Sequence, residues 1–318
     1  MAYLLLALTP LLWAGNWTIA KELVRRVHPA DLVLVRWALA AVVLAPIVYW
    51  REGGLPRPQG RDWLAVMLCG LTGMAGYNTL QYIAQQQTTN INGTLIYTSS
   101  PALTFLLAVP VLHERVTPRR AVGAALSLAG TAWILSGGSL ELLRSWRFNP
   151  GDVLMVAASA SWAVYTVVTR VGTRRLSPLA LTLYAAAAGT VMTALGRGWS
   201  LARGEAWSLS LHDAWAVLYI GVVSSAVAYL FWNEGVRRIG AGPASIFANL
   251  LPVYTAALSI ALLGEQLTAA HVVGGLAVLG GVYLVAAPAA AGRAAPAPAA
   301  AGAGRALPAR RGGGGRRG

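Results

Sequence analysis

Arg36 stands inside an otherwise apolar run, LVLVRWALAAVVLAPIVYW, and is the one basic residue of 25 set well within such a run. A guanidinium there costs several kcal/mol on simple estimates, and its planar fork suits a carboxylate or a phosphate. Two readings stand: an anion clamp, or a helix-end charge whose stem reaches back to a polar interface. Other apolar runs carry an uncharged polar and aromatic set. It comprises Asn16, Trp17, Tyr77, Asn78, Gln81, Tyr82, Tyr97, Ser100, Trp162, Tyr165, Tyr229, Trp232, Asn233 and Asn249. Singly, each residue reads as well as a hydrogen bond between helices. Together they describe a cavity for an amphipathic small molecule. Covalent and metal chemistry find no support: His28, His113, His212 and His271 are scattered without metal-ligand spacing, and Cys69 is the single cysteine. No metal and no cofactor are expected, and a phosphate-cradling GxxxxGK[ST] loop is absent.

The elements that must position these residues can be read from composition. Of 318 residues, 56% are hydrophobic and 11% charged, against roughly 25% charged in soluble domains. Much of the surface must face lipid. Apolar runs fall at 2–20, 31–50, 63–82, 90–112, 119–137, 151–170, 178–196, 213–232, 242–263 and 269–287. Each approximates the 20 or so residues that cross a bilayer as a helix, the one spanning form these runs allow. The first lacks the basic start and cleavage site of a signal peptide and is expected to be retained. Residues 288–318 are Ala, Gly, Pro and Arg with one leucine, a composition expected to stay disordered. Trp13 and Trp50 read most simply as interfacial belt residues. The glycines Gly70, Gly73 and Gly76, and Gly274, Gly275, Gly280 and Gly281, read as helix-packing surfaces.

The formal charge of +14 has an address. With the N-terminus, alternate loops and the tail on one side, that side holds 17 Lys or Arg and the other holds 7. The positive-inside rule puts both termini in the cytoplasm, and nucleic acid is not needed to explain the charge. All 11 acidic residues lie in loops or at run ends, so no buried carboxylate relay is expected.

The chain also repeats itself. Residues 101–130 align without gaps on 252–281, with 10 of 30 identical, including Pro101/Pro252, Glu114/Glu265, Thr117/Thr268, Gly123/Gly274 and Gly130/Gly281. Domain boundaries fall accordingly: a first five-helix repeat at 1–137, a connecting loop at 138–150, a second repeat at 151–287 and the tail at 288–318. Five is odd, so the second repeat enters the membrane from the opposite face, the plan on which secondary transporters recur. Pro101 and Pro252 each free a carbonyl four residues back, at Tyr97 and Ala248. Either each break is a packing kink, or the pair lines a cavity; their repeat relation favours the cavity. Thr117 and Thr268 read as helix N-caps, and Glu114 and Glu265 as structural carboxylates near positive helix ends rather than ion-coupling groups. The place equivalent to Arg36 is Ala185, so an anion clamp would be asymmetric.

The segments WNEGVRRIGAGPASIFANLLPVYTAALSIALLGEQLTAAHVVGGLAVLGG (232–281), LAVPVLHERVTPRRAVGAALSLAG (107–130), WAGNW (13–17) and Arg36-Trp37 resemble the EamA-type family of the drug/metabolite transporter superfamily. The resemblance covers nearly all of 1–287. It implies ten helices in two five-helix units, a cavity between the first, third and ninth helices, and export or exchange of small metabolites such as amino acids. The expectation is therefore an all-α integral membrane protein with ten transmembrane helices in two inverted repeats. It would be a secondary transporter of the cytoplasmic membrane, with a small-molecule substrate and the lipid bilayer as partners. The alternatives are a membrane-embedded enzyme and a receptor or scaffold that transports nothing.

Overall fold

A computed structural model describes residues 2–112, 117–145, 148–173, 175–232, 247 and 250–286. Glu114, Asn233, Asn249 and the tail from 288 lie outside the described residues. Those described are helical, without strands. In chain order the helices are α1 (Ala2–Leu23), α2 (Pro29–Glu52), α3 (Arg61–Cys69), α4 (Tyr77–Gln87), α5 (Asn90–Tyr97), α6 (Ser100–Leu112) and α7 (Pro118–Leu135). There follow α8 (Leu140–Ser145), α9 (Pro150–Gly172), α10 (Pro178–Ala202), α11 (Ala214–Leu218), α12 (Leu250–Leu263) and α13 (Ala269–Ala286). Among the described residues, six helices are long and apolar enough to cross a membrane: Ala2–Leu23, Pro29–Glu52, Asn90–Val111, Pro150–Gly172, Pro178–Ala202 and Leu211–Trp232. Leu250–Leu263 and Ala269–Val285 are shorter apolar helices. The run read at 63–82 is helical from 61 to 87, but its second part, YNTLQYIAQQQ, is polar because much of it faces the interior.

Local sequence sets the helix starts. α2, α7, α9 and α10 each begin on a proline, whose missing amide hydrogen costs nothing in a first turn. The residue before each proline (His28, Thr117, Asn149 or Ser177) accepts a hydrogen bond from the helix's first amides. Thr268 does the same for α13, accepting from His271 N at 3.4 Å. Glu265 has a longer reach than its own turn: it accepts from the amides of Asn90 (2.7 Å) and Ile91 (3.0 Å). Its carboxylate thus sits on the positive N-terminus of α5.

The chain departs from the α-helix in two ways. The first is the break between α5 and α6, just ahead of Pro101. There the chain tightens to three-residue spacing, with Ser99 N donating to Ile96 O and Ala102 N to Ser99 O. The second is a pair of π-helical segments, Gly70–Gly76 and Tyr219–Val227. They occupy similar places in their respective halves of the sequence, about 150 residues apart. Such wide turns cluster at functional sites.

Helices α7 and α13 cross with almost no side chain between them. A Cβ on Gly123 would lie 2.7 Å from the carbonyl of Gly281, and one on Gly281 would lie 2.5 Å from the carbonyl of Gly123. Gly130 and Gly274 are reciprocally placed, at 2.7 and 2.9 Å. Shifting each residue to its sequence-repeat counterpart turns the first contact into the second. Large apolar side chains such as Val42, Trp50, Leu195 and Leu276 point outward, where lipid would meet them.

Candidate functional site

The site is built outward from Arg36, which is only 5% exposed. Its side chain turns inward and does not reach for an interface. Nε donates to Ser225 Oγ (2.8 Å), and Nη1 to both Asn78 Oδ1 (2.8 Å) and the Tyr82 hydroxyl (2.8 Å). The guanidinium carbon lies 5.1 Å from the centre of the Trp37 ring, within cation–π range. Each π segment sets one acceptor. Asn78 Nδ2 donates to the carbonyls of Gly73 and Met74 (both 2.9 Å), and Ser225 Oγ donates to Ile220 O (2.8 Å). Tyr82 donates onward to Asn16 Oδ1 at 3.3 Å. Every acceptor is neutral: Arg36 forms no ion pair with a carboxylate among the described residues.

Beside this network lies a cavity of about 30 Å³, room for about two water molecules. Helix α1 supplies Trp13, Asn16 and Trp17, α2 supplies Arg36 and Trp37, and α4 supplies Tyr77, Asn78 and Gln81. Tyr97 comes from the last turn of α5 and Trp162 from α9, with Tyr229 and Leu251 completing the lining. Tyr77, Tyr97 and Trp162 form an aromatic wall, with ring centres 5.0 to 5.9 Å apart. The break before Pro101 ends α5 at Tyr97 and so leaves this ring at the cavity. Two buried donors that line the cavity, Gln81 Nε2 and Trp37 Nε1, have no hydrogen-bond partner.

The remaining described candidates lie outside the lining. Tyr165 is buried behind Trp162, with ring centres 4.9 Å apart, and presses on Gly73. Trp232 stacks on Trp13 from outside, at 5.6 Å. Ser100 is buried at the start of α6. Pro252 lies in the first turn of α12, and Ala248, whose carbonyl it is expected to free, lies outside the described residues. Trp13 corrects the belt reading: it lines the cavity, and its Nε1 donates to Ser224 O at 3.2 Å. The spacing of Trp13, Asn16 and Trp17, at i, i+3 and i+4, already puts the three on one helix face. Sequence reasoning misses Trp37 and Leu251 because an apolar residue in an apolar run carries no signal.

Charged side chains are also buried away from the cavity. Acidic residues at helix ends are not all accessible: Asp31, Asp152 and Asp213 are buried. Arg197, near the end of α10, is a second buried arginine. Its Nε and Nη2 hold both oxygens of Asp31 (2.5 and 3.2 Å), Nη1 holds Glu205 (2.6 Å), and Nη2 also donates to Ala206 O (2.5 Å). Ser208 adds two more donors to Asp31. Arg26 pairs with Asp213, whose other oxygen caps the turn at Ser210. These bonds clamp the 203–213 loop onto the start of α2. At the same end of the bundle, Asp152 joins α9 to α5 by accepting from Thr88 and Asn92, and Lys21 donates to the carbonyls of Gln85 and Thr88. His28 and His271 serve as capping side chains. No cluster of metal-binding side chains occurs among the described residues.

Comparison with known proteins gives a consistent picture. The model of the EamA-like transporter family matches residues 1–136 and again 149–287. An uncharacterized transporter of Archaeoglobus fulgidus is 31% identical over 288 residues, covering 90% of this chain and 97% of its own. A probable terminal-alkyne amino-acid exporter of Streptantibioticus cattleyicolor is 27% identical over 285 residues, covering 88% and 91% respectively. A solved crystal structure shares the fold with a TM-score of 0.61, at 21% identity, over 88% of this chain and 94% of that one.

Proposed function

Because this chain belongs to the EamA-like transporter family, we propose that it is a secondary carrier that exports or exchanges a small amphipathic metabolite by alternating access. The substrate class is an amino acid or a related compound, in keeping with the amino-acid exporter among its relatives. Ten helices cross the cytoplasmic membrane in two inverted five-helix repeats, 1–137 and 151–287, with both termini in the cytoplasm.

The observation that carries this reading is the cavity: polar and aromatic side chains from both halves of the chain converge on a space at the centre of the helices. The inverted arrangement is supported by the reciprocal glycine contacts between α7 and α13 and by the similarly placed π segments. Two quasi-equivalent halves offer two near-equal packings, one open to each side. At about 30 Å³ the cavity holds water and not a metabolite, so binding requires helices or side chains to move apart. The surplus of basic residues on one set of loops supports the orientation.

The test pairs two measurements. Cells with and without the gene are compared for metabolites in the medium, and the purified full-length chain in vesicles is assayed for counterflow of whatever accumulates. An amino acid or related compound that accumulates with the gene and exchanges in vesicles is the expected result. Identical media and no counterflow across a broad metabolite panel would remove the carrier reading.

A further inference from the structure

Burial of Arg36 leaves a charge to be accounted for. A charged side chain in a low-dielectric setting is held by a counter-charge or is costly. Ser225, Asn78, Tyr82 and the Trp37 ring disperse the guanidinium's charge without neutralising it. Nη2 forms no hydrogen bond with the described residues. Gln81 and Trp37, each 1% exposed, bring two more unpartnered N–H donors to the same cavity. All of these are donors. A group that satisfies them together accepts several hydrogen bonds and carries negative charge.

From this convergence we infer that the cavity binds its substrate by a single carboxylate, received by Arg36 with Gln81 Nε2 and Trp37 Nε1, while the substrate's apolar body lies against Tyr77, Tyr97 and Trp162. The inference rests on the carrier reading and deepens it. Among the described residues the lining holds one cation and no carboxylate, so the charge it matches is one negative unit. A phosphate monoester, with nearly two charges at neutral pH, would need a second cation. Those described lining residues also offer an amino group no carboxylate partner. Recognition therefore runs through the acid and the apolar body, and the α-amino group of an amino acid is dispensable.

The experiment uses the full-length protein in lipid nanodiscs, with binding read by quenching of tryptophan fluorescence and by ligand-induced thermal stabilisation. The probes are apolar and aromatic amino acids, the same acids without the amino group, the corresponding neutral amides, and a phosphate monoester of similar size. The expected result is at least one acid bound about tenfold or more tightly than its amide, a difference of about 1.4 kcal/mol. Its deaminated analogue should bind within a few-fold, and the phosphate monoester more weakly. Arg36→Gln should abolish the preference for acid over amide, and Gln81→Leu should reduce it about three- to tenfold. Should Arg36→Gln fail to fold, Gln81→Leu and the acid–amide comparison on the native chain decide the matter. Equal binding of acid and amide in every pair, or no binding by any acid, overturns the inference. The gene's effect on the medium and the counterflow of an accumulating metabolite are independent of that result, and only their loss removes the carrier reading.

Discussion

Arg36 and Arg197 are buried to nearly the same degree, at 5% and 2% exposed, yet their surroundings are opposites. Arg197 meets two carboxylates and a carbonyl, and its partner Asp31 is further held by Ser208. The charge of Arg197 is thus met by carboxylates from within the fold. Arg36 meets only neutral acceptors and a ring, beside a cavity whose other donors lack partners. One arginine is fully matched within the fold, and the other is not. Burial alone thus says little about role; it is the identity of the partners that separates the two arginines.

The comparison can be broken hardest at its satisfied end. Asp31→Ala strands Arg197 with one carboxylate, half-exposed, and removes the acceptor of Ser208. Stranding a buried charge costs about 3–5 kcal/mol, so the thermal unfolding midpoint in detergent should fall steeply. A midpoint unchanged from the native chain would show that the Asp31 pair does not hold the fold.

A middling effect comes from making the open end resemble the closed one. Gln81→Glu places a carboxylate in the cavity without removing a hydrogen bond that Nε2 makes. The new carboxylate competes for Arg36, so acid binding should weaken tenfold or more, about 1.4 kcal/mol, while the unfolding midpoint is kept or raised. Acid binding as tight as in the native chain would place Arg36 outside substrate recognition.

The smallest effect sharpens the contrast. Ser225→Ala removes one of three neutral acceptors from Arg36 and leaves Asn78 and Tyr82 in place. A stability loss of about 1 kcal/mol or less is expected, read from denaturant or thermal unfolding. A loss approaching that of Asp31→Ala would mean that Arg36 is as structural as Arg197.

The same residues show how far the sequence reaches. Polar side chains inside apolar runs are conspicuous, and Asn16, Tyr77, Asn78, Gln81 and Trp162 stand out for that reason; the structure places them at one cavity. The break before Pro101 is legible because proline removes a specific hydrogen bond. Arg197 is not legible: it sits at a helix end where exposed arginines are ordinary, and Asp31 is 166 residues away in the chain. Trp13 misleads because tryptophans often mark an interface, whereas it lies mid-way along α1 and its place depends on Ser224 and Trp232 from the other half. The π segments escape because a wide turn needs no particular residue; their glycines suggest packing alone. Glu265 reads as a carboxylate near a helix N-terminus, but that it meets the amides of α5 is visible only in three dimensions.

The glycine crossing of α7 and α13 has a consequence for how such a protein diversifies. Where carbonyl lies against glycine at under 3 Å of would-be Cβ clearance, even alanine is too large. Gly280, one residue from Gly281, has nothing closer than 3.9 Å and tolerates it. Mutational drift is therefore barred along one line of the molecule and permitted beside it. The α7–α13 crossing is thus a fixed seam, and change is confined to the surfaces beside it.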